Sequence, residues 1–365
     1  MNISFIVCCH NSALRLSATL VHLAAVEAMP GVDWEVVVVD NTSTDNTAKV
    51  ARRCWSDAGA PAPLRVVQEP TPGLVHARRC GVRAARHEIV CFVDDDNWIR
   101  PSWPRVLNEI FTTCPAVGAA GGLGRPVFDG PEPGWFRSVQ WAYAVGPQAP
   151  RSGEVPRARG YLYGAGLALR RDAFLDVEKK GFRPLLTGRK GGELLAGEDS
   201  ELCFQLALAG WQLWYDRRLV FDHFIPAFRV TPGHAARLIE GLGYASAYLD
   251  AYVLAGAAAR PLHWTWLNGL FLPRFLIAGA QYIKSCLVAI ASGKDGDLMR
   301  YLFRGRLKGV VNGRHRNRVL RRTLSEMASC QRSAREGMAF PPLRDEVPLS
   351  PGRGAGKTRR HKGGP

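Results

Sequence analysis

Three consecutive carboxylates close an apolar run: Glu88-Ile89-Val90-Cys91-Phe92-Val93 leads directly into Asp94-Asp95-Asp96. The run reads as a buried strand. Adjacent Asp side chains repel one another and need water or a cation, so they cannot lie inside it. They belong at its carboxyl end, where open α/β sheets bind ligands. Alternate side chains there can share a hard cation, and a cation-bound diphosphate suits such a tip. A solvated acidic turn would give the same letters.

The neighbouring segments repeat this plan. Ser4–Cys9 is an apolar strand ended by His10-Asn11-Ser12, Trp34–Val39 is another ended by Asp40, and Leu64–Gln68 is a third. Between them lie a helix carrying Leu14, Leu16, Leu20 and Leu23 with Ser12 as N-cap, a helix from Pro72-Gly73 to about Arg86, and one from Pro101 to about Thr113. Strands apolar on both faces, alternating with helices, define an α/β fold with a doubly wound, mostly parallel sheet flanked by helices. The polar tips His10/Asn11, Asp40 and Asp94–Asp96 then line one sheet edge.

Further on, residues 117–159 are rich in Gly, Pro and aromatics and read as a long loop on the acceptor side. Gly160–Arg170 reads as a strand beneath something bulky, or as a Gly-bulged core strand. Glu198 and Asp199 follow Gly197 and open an amphipathic helix. The N-terminal dipole keeps such a carboxylate ionised, which suits a proton acceptor, although a plain cap uses the same residue. Gln212–Tyr215 is a further strand. His223, among apolar neighbours, reads as a core residue or a ligand.

With 47% apolar residues the chain of 365 can bury a core. From Arg300 onward there are 17 Lys/Arg against 4 Asp/Glu, so +13 of the total +16 lies in this extension. Such a stretch seeks an anionic membrane surface or acidic polymer; without aromatic interleaving, nucleic acid is not expected. Nine scattered Cys, with no C-x-x-C, fit a reduced setting and no zinc site. No signal peptide is read before Ile3, so a cytoplasmic location is expected. Ala235–Ala258 is helical in pattern. Trp264–Ser292 is more apolar but interrupted by Pro273-Arg274 and Lys284, which favours an interfacial helical hairpin at the inner face of the membrane over packed helices or a spanning helix. The expected division is a catalytic domain over 1–230, a helical, membrane-associated region over 231–330 that includes a basic helix at Arg300–Arg322, and a basic disordered tail over 331–365.

Five motifs, in order, resemble those of the family 2 glycosyltransferases, which have the GT-A fold. Ser4–Asn11 resembles their opening strand, and Val38-Val39-Asp40-Asn41-Thr42-Ser43-Thr44-Asp45-Asn46-Thr47 their second-strand motif. Gly73-Leu74-Val75-His76-Ala77-Arg78-Arg79-Cys80-Gly81 is similar to G-x-x-x-A-R-N-x-G, and Asp94-Asp95-Asp96-Asn97 with Pro101 to the D-x-D metal signature. Gly197-Glu198-Asp199 through Gly210-Trp211 is similar to the E-D catalytic helix. Asn41 stands where Asp is usual, Arg79 where Asn is, Asn97 where a third Asp is common, and Cys9-His10 where Thr-Tyr is.

The resemblance implies an inverting, metal-dependent enzyme. It would move a sugar from a nucleotide-diphosphosugar to the hydroxyl of a glycan or lipid-linked acceptor. It implies that Cys9, Asn11, Asp40, Arg78, Asp94 and Asp95 bind the nucleotide sugar. Asp94, Asp96 and His223 would hold Mg²⁺ or Mn²⁺, Asp199 would deprotonate the acceptor, and Glu198 would orient it. The Q-x-x-R-W motif of processive members does not follow Asp199, which points to single transfers. A sugar-1-phosphate nucleotidyltransferase would need a Gly-rich phosphate loop where Cys9-His10-Asn11-Ser12 stands. A non-catalytic nucleotide-sugar-binding module would have no use for Glu198-Asp199.

Overall fold

The computed structural model describes residues 1–156, 159–186, 188, 196–257, 271–292 and 298–312. Its frame is one sheet of nine strands: β1 (Ile3–Cys9), β2 (Trp34–Asp40), β3 (Leu64–Gln68), β4 (Ile89–Phe92), β5 (Asn97–Ile99), β6 (Val117–Phe128), β7 (Gly153–Glu154), β8 (Ala168–Arg170) and β9 (Gln212–Ile225). Their order is β3-β2-β1-β4-β8-β6-β9-β5, with β7 paired to β9. The β3-β2-β1-β4 half is parallel, with Cys9 level with Asp40 and Ile6 with Phe92, so these chains leave the sheet at one edge. Beyond β4 the pairing is mixed: β8 runs antiparallel to β4 and β6, while β6 and β9 are parallel.

Alternation along each strand assigns the two faces. Phe5, Val7, Val36 and Val38 pack with α1 (Leu16–Ala24), α2 (Thr47–Asp57) and α4 (Trp103–Thr113). Ile6, Val37, Val39 and Phe92 pack with α3 (Leu74–Ala84), α6 (Arg171–Lys179) and α7 (Glu198–Leu208). A smaller cluster joins α5 (Phe136–Val139) and Ile225 to α8 (Pro232–Ala257). Beside α8 lie α9 (Phe271–Ser292) and a helix over 299–312. Among the described residues no helix is long and apolar enough to cross a membrane.

Several expectations are corrected. Residues 117–128, read as loop, form β6, and β9 runs on from Tyr215 to Ile225, so these are the two longest strands. The small residues that hide β6 from a propensity reading are what let the chains approach. A Cβ on Gly122 would strike the Leu219 carbonyl, one on Gly124 the Ala144 carbonyl, and one on Gly118 would sit 2.6 Å from Trp211 Cβ. Of Gly160–Arg170 only Ala168–Arg170 is strand. Ser12 is not the N-cap of α1, which starts at Leu16; its hydroxyl donates to Asp95. Pro273-Arg274 does not interrupt α9, because Pro is tolerated in a first turn. Of the expected hairpin, residues 264–270 lie outside the described residues, as do 313–322 of the basic helix and the tail 331–365.

Gly122→Ala is expected to cost about 1–3 kcal/mol in denaturant unfolding. Gly134→Ala, which meets nothing within 4 Å, should change stability by less than about 0.5 kcal/mol.

Candidate active site

The strand tips and the N-terminus of α7 face each other across a cavity of about 590 Å³. Cys8, Cys9 and His10 line it from β1, Asn41 and Thr42 from β2, Arg78 from α3, and Asp94, Asp95 and Asp96 from the tip of β4. The opposite wall holds Tyr161, Tyr163, Gly164, Glu198 and Asp199. His223 of β9, Arg229, and Leu238, Leu242 and Leu249 of α8 complete it.

Arg78 joins the walls. Its guanidinium is buried, 3.7 Å from Glu198 and 4.0 Å from Asp94, and stacks over Phe92 at 5.1 Å. Burial opposes its charge, but Glu198, Asp94 and Asp199 outweigh burial and hold it above the ordinary arginine range. Asp199 Oδ2 accepts the Gly164 N–H at 2.6 Å, and Oδ1 accepts the Ser200 N–H at 2.7 Å. Only glycine fits at 164, because a Cβ would lie 2.6 Å from the Arg78 guanidinium and 2.9 Å from Asp199 Cβ. Gly197, at φ +109°, turns the chain into α7 where a Cβ would press on Ala245 of α8 at 2.8 Å.

The three adjacent Asp have separate partners. Asp94 faces Arg78. Asp95 turns inward to Arg15 at 2.6 Å and to the Ser12 hydroxyl; burial, then Asp96, push its carboxyl up, against Arg15 and Ser12. Asp96 takes a 2.9 Å bond from Arg229 and lies 3.6 Å from His223 Nε2. His223 Nδ1 is 2.8 Å from the Tyr143 carbonyl, so that nitrogen is the donor, and Nε2 is turned toward Asp96.

This fixes what metal the residues could hold. Among the described residues no three His, Cys, Asp or Glu side chains are grouped to hold an ion. The cavity offers a pair, Asp96 and His223 Nε2, and His223 Nδ1 is tied to a backbone carbonyl, as metal-binding imidazoles commonly are. Mg²⁺ and similar ions take one or two protein ligands and complete their shell with water and substrate phosphates. The pair fits such an ion.

Cys9, Arg78, Asp94, Asp95, Asp96, Glu198, Asp199 and His223, all singled out in the sequence, are thus brought to one cavity. Asn11 and Asp40 are not among its lining residues. Asp40 accepts the Ser43 N–H at 3.1 Å and the Gln68 amide at 3.0 Å. Asn11 accepts the Thr44 N–H at 2.8 Å, tying the tip of β1 to that of β2. Asn41 has a structural role as well as a place in the cavity wall. Its amide donates to the Glu69 and Thr71 carbonyls, and its oxygen accepts the Gly73 N–H. A carboxylate could not make both donations. Sequence reasoning missed Arg15, Arg229 and the tyrosines of 161–163, which Arg159 covers at 4.8 and 5.3 Å. No local pattern marks them, since each finds the site only through folding.

The fold is of the GT-A type. Residues 4–177 match the family model "Glycosyl transferase family 2", and the chain carries a domain of that family. It is 30% identical over 148 residues to an uncharacterized glycosyltransferase of Nostoc, covering 40% of this chain and 42% of that protein. It is 23% identical over 225 residues to a poly-beta-1,6-N-acetyl-D-glucosamine synthase of Staphylococcus epidermidis, covering 61% and 50%. The chain thus spans half or less of these curated relatives. Its fold is shared with a mannosyltransferase from Pyrobaculum calidifontis, solved in complex with GDP-Man and Mn²⁺, at TM-score 0.54, 19% identity, and 85% and 86% coverage.

Burial pushes the thiol of Cys8, which lines the cavity, up to about 12. At pH 8 the reactive thiolate is then about one molecule in 10⁴. Alkylation of Cys8 by iodoacetamide is expected to be at least about 100-fold slower than in the urea-unfolded chain, as read by peptide mass spectrometry. Equal rates would contradict this placement.

Proposed function

We propose that the protein is an inverting, divalent-metal-assisted glycosyltransferase. It moves a sugar from a nucleotide-diphosphosugar to the hydroxyl of a glycan or lipid-linked acceptor, one transfer at a time, at an anionic membrane surface. The observation that carries this reading is the Arg78 bridge: it sets the acidic strand tip and the α7 carboxylates on opposite walls of one cavity. A donor at the sheet edge then presents its anomeric carbon to Asp199.

Asp199 is the general base. Two backbone N–H groups fix its oxygens at the N-terminus of α7. It takes the acceptor hydroxyl proton as that oxygen attacks the anomeric carbon from the face opposite the leaving diphosphate, which inverts the centre. Glu198 holds Arg78 in place and orients the acceptor. Asp96 and His223 would hold Mg²⁺ or Mn²⁺, which when bound supplies positive charge to the departing diphosphate. Arg78 and Arg229 add fixed positive charge to the same wall. The acceptor's apolar part lies along Leu238, Leu242 and Leu249 of α8. Single transfers agree with the lack of Q-x-x-R-W after Asp199.

Asp199→Asn is expected to lower kcat by about 10³-fold or more while leaving donor affinity within about twofold. A variant with wild-type turnover would remove the base assignment. Calorimetric affinity for a panel of UDP- and GDP-sugars should fall at least about tenfold when EDTA replaces Mn²⁺. Unchanged affinity would remove Asp96 and His223 as metal ligands.

A further inference from the structure

Helix α9 presents an apolar face with no cover among the described residues. Leu276 (58% exposed), Ile283 (61%) and Leu287 (61%) follow one another at helical spacing, flanked by Ile277 and Val288. The opposite face is seated: Ala278 packs against Ala247 of α8 and Val310, and Arg274 bonds Asp250 and the Ala247 carbonyl. The helix is therefore held by α8, which itself lines the catalytic cavity, and its outward stripe runs about 15–20 Å.

We propose that this face of α9 docks the protein in the plane of an anionic lipid bilayer, inserting Leu276, Ile283 and Leu287 among the acyl chains. The occupant follows from charge. Lys284 stands exposed within the stripe, and the sequence from Arg300 onward carries 17 Lys/Arg against 4 Asp/Glu. Two copies meeting through this face would bring their Lys284 ammonium groups into a dry interface, at a cost. An anionic bilayer accepts both parts, apolar side chains below the headgroups and cations at their level. Lying flat is the geometry available to a helix that falls short of a span. This docking rests on the membrane-surface reading above and gives it a structural element.

The test uses the full chain without donor or acceptor, so its result does not depend on the transferase reading. Sedimentation is measured with vesicles of phosphatidylcholine alone and with about one-third phosphatidylglycerol. Binding to the anionic vesicles and little to the neutral ones is expected. Leu276→Gln/Ile283→Gln/Leu287→Gln should lower partitioning at least about 100-fold with an unchanged circular-dichroism spectrum, and Lys284→Gln about fivefold. Wild-type partitioning by the triple variant would assign binding to the basic extension alone and overturn the proposal. So would absence of vesicle binding, or light scattering that shows a wild-type dimer made monomeric by the triple variant.

Discussion

A buried guanidinium holds this site together. Arg78 lies between Asp94, at the tip of β4, and Glu198 and Asp199 at the start of α7, carboxylates that would repel one another without it. Removing one partner of such a set leaves charge buried without compensation, a far larger penalty than a surface ion pair involves. Arg78 can occupy that position because Phe92 supplies a flat apolar support and because residue 164 has no side chain. In the proposed transfer the same guanidinium would add positive charge beside the departing diphosphate, so one residue would serve both folding and chemistry.

Close approach of backbones is the second constraint. Gly118, Gly122 and Gly124 let β6 lie against β9 and its neighbours, and β9 carries His223 to Asp96. The helical layer is built likewise. A Cβ on Gly305 would strike the Glu240 carbonyl, one on Gly309 the Tyr244 carbonyl, and one on Gly243 the Leu302 carbonyl. The 299–312 helix therefore sits tightly on α8, and α8 closes the cavity through Leu238, Leu242 and Leu249. The expected boundary near residue 230 separates sequence patterns, yet α8, beyond it, contributes directly to the site.

The first half of the fold was legible because its apolar strands are continuous and each stops at a polar group, a pattern that burial on two faces imposes. Asp94–Asp96, Glu198 and Asp199 stood out because they sit where an apolar strand ends and a helix begins, although a solvated turn or a plain cap uses the same residues. β6 was not legible. Its Gly-rich sequence looks like loop until β9 is seen against it. Asn11 and Asp40, chosen as ligand-binding residues, also brace the loops between strand tips, which no local pattern marks.

The sequence by itself determined the alternation of strand and helix, the acidic edge, the helix bearing Asp199 and the basic extension, because each depends on residues close together in the chain. Only the tertiary structure decided that Asp95 turns inward to Arg15, that Asp96 meets Arg229 and His223, and that Arg78 joins two walls. Partners more than 60 residues apart leave no local period or spacing. Their pairing is set by how the sheet orders its strands and by which backbones are bare enough to touch.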